Sequence, residues 1–329
     1  MKETFKQFKK FLPIIFLLSV VGLFLGLLTL MYYYSSETVS IQFKNVIPIL
    51  TIIFAVAAIA TSVYFGVKVD KIYIKRIKKD SGFSKFAALL VAALASALFL
   101  FDFFRFVDSP TQFSALRILR LVVFIPFIVY MIITVIPKKI HRHKIVLPKW
   151  LGPVTSVSTL VWCILGLMTI YFYDLLPTTN LFKLIFIAYY VLVTLFFLFE
   201  IKFELLKPSH KPYIIFSLIL FIFSFVLVGS IMIAKFLGRL SNVSISEFEI
   251  FLSFAMGLYA FSRMTSIQST LKFEIEKNHN SDSDSNHHHR HHHHHRHHRG
   301  EGNVSEDTAV TDTVDAVSTD NGTTELKGE

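Results

Sequence analysis

Along this chain, long apolar runs alternate with short polar connections, and the runs are of one length class. A helix needs about 20 apolar residues to cross a hydrocarbon core. On that basis the pattern predicts helices over 11–34, 46–67, 86–107, 113–136, 151–172, 182–200, 213–236 and 248–267. They are helices because backbone exposed to lipid must satisfy its own hydrogen bonds. The eighth run is the weakest, since its unbroken apolar core extends only from Ile250 to Phe261 before Arg263. It spans only if 248–267 counts as a whole and Arg263 snorkels to the interface; otherwise it is re-entrant or interfacial.

Charge then orients the runs. The N-terminal segment carries Lys2, Lys6, Lys9 and Lys10, and the connections 68–85, 138–149 and 202–211 hold seven, five and three Lys or Arg. The alternate connections are poor in them, with Lys44, Lys183, and Lys235 with Arg239. This bias places the N-terminus and the basic connections in the cytoplasm. An eighth span returns the C-terminus to the same side, beside Arg263, Lys272 and Lys277. The first run is too long for a signal sequence and is read as an uncleaved first span. The membrane is the plasma membrane if the source is bacterial.

Composition adds less than pattern. Charged residues are only 17% of the chain and there are 35 Phe, outside the range of soluble domains. The net charge of +10 follows from the basic loops, so nucleic acid is not needed to explain it; the expected partners are the bilayer and anionic headgroups at those loops. The single Cys163 allows no intrachain disulfide.

A faint repeat runs through the pattern. At an offset of 140, eight of the 25 positions from Lys9 to Tyr33 are identical, including Lys9 with Lys149, Pro13 with Pro153 and Gly26 with Gly166. At an offset near 139 the approach to the second helix, Ser40 to Lys44, resembles that to the sixth, Thr179 to Lys183. At an offset of 135, Thr111 to Phe113 resembles Ser246 to Phe248. Four helices per unit keep both halves in one orientation, so the expectation is two parallel four-helix repeats. The competing explanation is coincidence within a small apolar alphabet, and the second and sixth helices share little. The expected fold is therefore an all-α polytopic membrane protein: a first four-helix unit over 1–137, a second over 138–278, and a disordered tail over 279–329. The repeat of Ile267, Leu271 and Ile275 predicts that the last helix continues as an amphipathic stretch along the membrane surface.

Three polar features carry candidate chemistry. At the outer turn between the third and fourth helices lie Asp102, Arg105, Asp108, Arg117 and Arg120. Asp102 and Arg105 share a helix face, as do Arg117 and Arg120. The cluster is either an outward-facing pocket for a carboxylate or phosphate, or a structural clamp with snorkelling arginines. Arg117 and Arg120 stop after two repeats, too short for a voltage sensor. In the tail, His287, His288, His289, His291, His292, His293, His294, His295, His297 and His298 are interleaved with arginine. They offer weak binding to a divalent transition metal or are low-complexity drift, and no other cofactor is expected. Finally, Pro126 and the Gly22–Gly26 face read as packing features. No HExxH, GxSxG, DxD or P-loop occurs, so an enzyme is not expected. The expectation is an integral membrane protein with transporter-like translocation of a small molecule or ion. The alternative is a non-transporting sensor, scaffold or complex subunit that acts through its tail.

Overall fold

The computed structural model describes residues 2–34, 46–69, 77, 81–110, 114–136, 139–140, 143–144, 148, 150–173, 181–205, 209–238 and 246–290. Eight helices among them are long and apolar enough to cross a membrane, which makes this an integral, multi-pass membrane protein. They are α1 (Lys2–Tyr34), α2 (Val46–Lys68), α3 (Gly82–Asp108), α4 (Ala115–Val135), α5 (Leu151–Tyr173), α6 (Leu181–Glu204), α7 (His210–Phe236) and α8 (Glu247–Arg290). A short antiparallel pair, β1 (Lys139–Ile140) and β2 (His143–Lys144), lies between α4 and α5. The chain divides into a compact unit, Met1–Ser281, and a second, Asp282–Glu329, of which only 282–290 are described.

Helix ends follow local chemistry. Ser81 and Ser114 cap α3 and α4, their hydroxyls accepting from the N–H of Ser84 (3.1 Å) and Arg117 (3.4 Å). Helix α1 starts nine residues before the apolar run, because its basic first turns are helical too: Lys6 pairs with Glu3 at 3.2 Å and Phe8 is buried. Pro126 lies within α4, which runs unbroken from Ala115 to Val135. In α7, by contrast, Ser224–Val228 form a π turn without proline. It faces the closest approach of α8, where a Cβ on Gly257 would lie 2.3 Å from Cβ of Ser224. The Gly22–Gly26 face packs α1 on α7: added Cβ atoms there would meet Val226 at 2.9 Å and Ser230 Oγ at 2.5 Å. Gly166 packs instead on the ring of Tyr190.

The centre belongs to α8. It touches α1 through Phe16–Phe261, α3 through Phe101–Phe248, and α7 through Phe221–Phe261. It reaches α4 and α6 through ion pairs. Around it, α5 packs between α4 and α6, while α2 packs on α1 and α7. Of its spanning stretch 72% is buried, against 22% for α4. A helix that meets protein rather than lipid on most faces tolerates polar residues that lipid would not, provided they are paired. Ser253, Ser262, Arg263, Ser266 and Thr270 are all buried. Thus the run that looked weakest by hydropathy is the hub of the bundle. The lipid-facing apolar surface lies on the periphery, at Leu17, Ile52, Phe104, Val122 and Phe172.

Two expectations about α8 change. Arg263 does not snorkel: it is 6% exposed and paired inside the protein. Ile267 and Leu271 are buried against the bundle rather than laid on a membrane surface. The helix also continues to Arg290, so 279–290, assigned from the sequence to a disordered tail, are helical. The side chains of His287, His288 and His289 and all of 291–329, including the remaining tail histidines, lie outside the described residues. So do the loop segments 40–44 and 111–113, and Lys149, on which part of the repeat argument rests.

Candidate functional site

The five residues singled out around the α3–α4 turn separate into different roles. Arg105 is exposed, its guanidinium carbon 5.5 Å from the centroid of the Phe101 ring, and Asp108 is exposed at the end of α3. Asp102 and Arg117 are half-buried. Arg120, its side chain 12% exposed, pairs inside the bundle with Glu249 of α8, at 3.1 Å. Tyr190 of α6 closes a triangle. Arg120 Nη2 donates to its hydroxyl at 2.6 Å, and that hydroxyl donates to Glu249 Oε1 at 2.7 Å. The guanidinium lies over two aromatic faces, 5.2 Å from the centroid of Trp162 and 5.5 Å from that of Tyr190.

A second buried pair lies toward the other end of the same three helices. Arg263 Nη2 of α8 sits 2.6 Å from Glu200 Oε1 of α6, with side-chain exposures of 7% and 1%. Tyr130 of α4 donates to Glu200 Oε1 at 3.5 Å, and Tyr213 of α7 donates to Oε2. At 1.5 Å per residue the two groups are about 15 Å apart along α4 and α6 and about 21 Å apart along α8. This is half or more of the ~30 Å hydrocarbon thickness.

The two groups use one recipe with the parts exchanged. At the first, α4 supplies the arginine, α6 the tyrosine and α8 the carboxylate. At the second, α4 supplies a tyrosine, α6 the carboxylate and α8 the arginine. Between them runs continuous aromatic packing. Trp162 stacks on Phe127 with centroids 4.5 Å apart, and Phe127 meets Phe197 edge-on at 6.5 Å. Phe197 contacts Tyr130 at 6.2 Å and Phe196 at 5.1 Å. Phe196 stacks on Tyr213 at 5.7 Å. Burying an ion pair costs desolvation that a well-packed apolar core avoids. Two such pairs, joined through buried aromatic layers, are therefore not the cheapest way to hold these helices together.

Some buried polar atoms in this region have no hydrogen-bond partner among the described residues: Arg120 Nε, Trp162 Nε1, and Ser224 Oγ on the π turn. Among the described residues, no three His, Cys, Asp or Glu side chains are grouped to hold a metal.

Sequence reasoning found Arg120 but not its partners. Glu249 and Glu200 fell at the drawn limits of the eighth and sixth runs and were passed over as boundary residues. The signal available was a carboxylate embedded in aromatic and aliphatic neighbours, as in Phe248-Glu249-Ile250 and Phe199-Glu200-Ile201. Compared with protein-family models, curated proteins and solved structures, the chain matches none of them.

Proposed function

We propose that this protein is a transporter in which the two ion pairs act as gates at opposite ends of a path between α4, α6 and α8. The observation that carries the reading is the pair of buried Arg–Glu–Tyr groups on the same three helices, with the charges exchanged between ends. Breaking one pair frees α8 from α4, and breaking the other frees α8 from α6. A tilt of α8 that opens one end leaves the other closed, which is the requirement of alternating access. The charge bias of the loops supports placing the Arg120 end outside and the Glu200 end in the cytoplasm. The π turn on α7, opposite Gly257, supplies a local irregularity of the kind found at functional sites in helices. Two parallel four-helix units remain part of this proposal, on the strength of the α1–α5 resemblance.

One observation favours a second reading. Helix α8 runs unbroken from the buried core to Arg290, so a sensor or scaffold acting through the tail has a ready mechanical element. Uptake of radiolabelled solutes into vesicles reconstituted with the full chain separates the two. The transporter reading expects saturable uptake of at least one solute, lost when residues 119 and 248 are cross-linked as cysteines across the Arg120 end. Absence of uptake across the panel, with cellular function lost on deletion of 279–329, establishes the sensor or scaffold instead.

A further inference from the structure

Two carboxylates act on Arg120, not one. Glu249 is its ion-pair partner, and Asp102 of α3 is the other acid among the groups that act on it. Aromatic contacts fix the level of Asp102. Phe99 of α3 stacks on Phe124 of α4, with centroids 6.2 Å apart. Asp102 lies three residues after Phe99 and Arg120 four before Phe124. On these oppositely running helices, both therefore sit one turn outward on the touching faces. Phe101 of α3 also meets Phe248 of α8 at 5.7 Å, which brings Asp102 and Glu249, the next residue of each helix, close to one level. Asp102 is half-buried, and among the described residues it makes no hydrogen bond and no ion pair.

Charge then sets what the place takes up. Arg105, exposed over the Phe101 ring, and Arg117 also act on Asp102, but less than Arg120 and Glu249 do. The other ionisable groups facing the cluster are Cys163 of α5 and Tyr189 and Tyr190 of α6. Thiols and phenols carry no charge at neutral pH unless a neighbour draws the proton off. Inside the bundle, one guanidinium thus faces two carboxylates, an excess of one negative charge. Two carboxylates that share a site resist ionising together. One proton cancels the excess and needs no cavity.

We infer that Asp102 and Glu249 share one bound proton, and that its position decides whether Arg120 ties α4 to α8 or to α3. In the structure Glu249 Oε1 accepts from both Arg120 and Tyr190, the role of an ionised carboxylate, which leaves the proton to Asp102. Moving it breaks the Asp102 O–H bond and forms one on Glu249. Arg120 then pairs with Asp102, and its Nε–H, which has no acceptor among the described residues, is a spare donor for the exchange. The group is neutral in both arrangements, so α8 is released without leaving a charge uncovered. This deepens the transporter reading by making the outer gate proton-linked. Only the coupling to uptake rests on that reading; the shared proton does not.

Infrared difference spectroscopy of the full chain in nanodiscs reads protonated carboxyls through their C=O stretch as pH is varied. Free Asp and Glu protonate only near about pH 4. At neutral pH the wild type is expected to show a protonated-carboxyl band that both Asp102→Asn and Glu249→Gln lose. The second loss discriminates: with Glu249 gone, Asp102 has Arg120 to itself and ionises, whereas an Asp102 protonated through burial alone keeps its proton. A wild type without the band, or a band that survives in either variant, overturns the inference. Where Glu249→Gln does not elute as a single species, the emission of Trp162 is titrated with pH in full-length Trp150→Phe protein, because Arg120 lies over that indole and Trp150 is the chain's other tryptophan. A transition above the ordinary carboxylate range, removed by Asp102→Asn, is expected; no transition, or one that this variant leaves unchanged, overturns the inference. The band behaving as expected with no solute taken up by vesicles keeps the shared proton and removes the transport reading. Saturable uptake that neither an inward proton gradient nor Asp102→Asn alters keeps transport and removes the coupling.

Discussion

Replacing Arg263 by Met isolates the most deeply buried charge in the bundle. Glu200 is 1% exposed, and in the variant its hydrogen bonds among the described residues come from the hydroxyls of Tyr130 and Tyr213. Breaking a buried ion pair by removing one partner costs about 3–5 kcal/mol, because the remaining charge is uncompensated. The two tyrosine bonds, each worth about 1.5–3 kcal/mol to a charged acceptor, survive, so the lower part of that range, about 3 kcal/mol, is expected here. Glu200→Gln combined with Arg263→Met removes both charges at once. Neutral replacements of similar volume are commonly close to neutral in effect, so the double variant should fall within about 1 kcal/mol of the wild type, a coupling of about 2 kcal/mol or more. The assay is SDS-driven unfolding of the full chain in mixed micelles, followed by far-ultraviolet circular dichroism, for wild type, both single variants and the double. A single Arg263→Met variant within about 0.5 kcal/mol of wild type refutes the reasoning, since the pair would then be open to water or lipid headgroups.

Further expectations follow from packing and charge. Gly166→Ala should push the Tyr190 ring, whose Cε1 would lie 2.4 Å from the new Cβ, away from Arg120; overpacking of this kind typically costs about 1–3 kcal/mol, and the same micelle assay measures it, with Gly82→Ala, which meets nothing, as the control. Cys163, fully buried, should react with maleimide only after unfolding; labelling of native protein at a comparable rate would show the α4–α6 core to be open. Reporters fused after Lys79, Lys144 and Lys207 should report cytoplasmic locations and one within 235–246 an external one, and a cytoplasmic signal from the last would defeat the proposed orientation.

How far the fold was legible depended on which solvent each helix faces. Helices α1 to α4 show lipid a broad apolar surface, so hydropathy located them well. Helix α8 meets α1, α3, α4, α6 and α7, and interior contacts permit Ser253, Ser262 and Arg263 where lipid would not. The feature that marks it as central is therefore the feature that made its run look doubtful. The same physics hid the site. Hydropathy drew the sixth run to a close at Glu200 and opened the eighth at Phe248, next to Glu249, so two carboxylates inside the bundle passed for termini. Arg120 was legible because arginine among Leu119, Leu121 and Val122 has no cheap solvent. Its partner lies 129 residues away, and helical spacing connects only residues three or four apart. Trp162 aligns with Gly22 at the offset of 140, and nothing in its apolar surroundings sets it apart from other core aromatics. Its role appears once α5 is packed between α4 and α6.

The account turns on the two ion pairs closing opposite ends of the bundle independently, and a pair of distance distributions measures that. Spin labels at 184 and 248 report the Arg120 end, and labels at 205 and 272 report the Glu200 end, all at exposed positions, in a Cys163→Ala background read by double electron–electron resonance. Glu249→Gln should lengthen the 184–248 distances and leave 205–272 unchanged or narrower, while Arg263→Met should do the reverse. Both ends moving together under either substitution, or neither end moving, would contradict it.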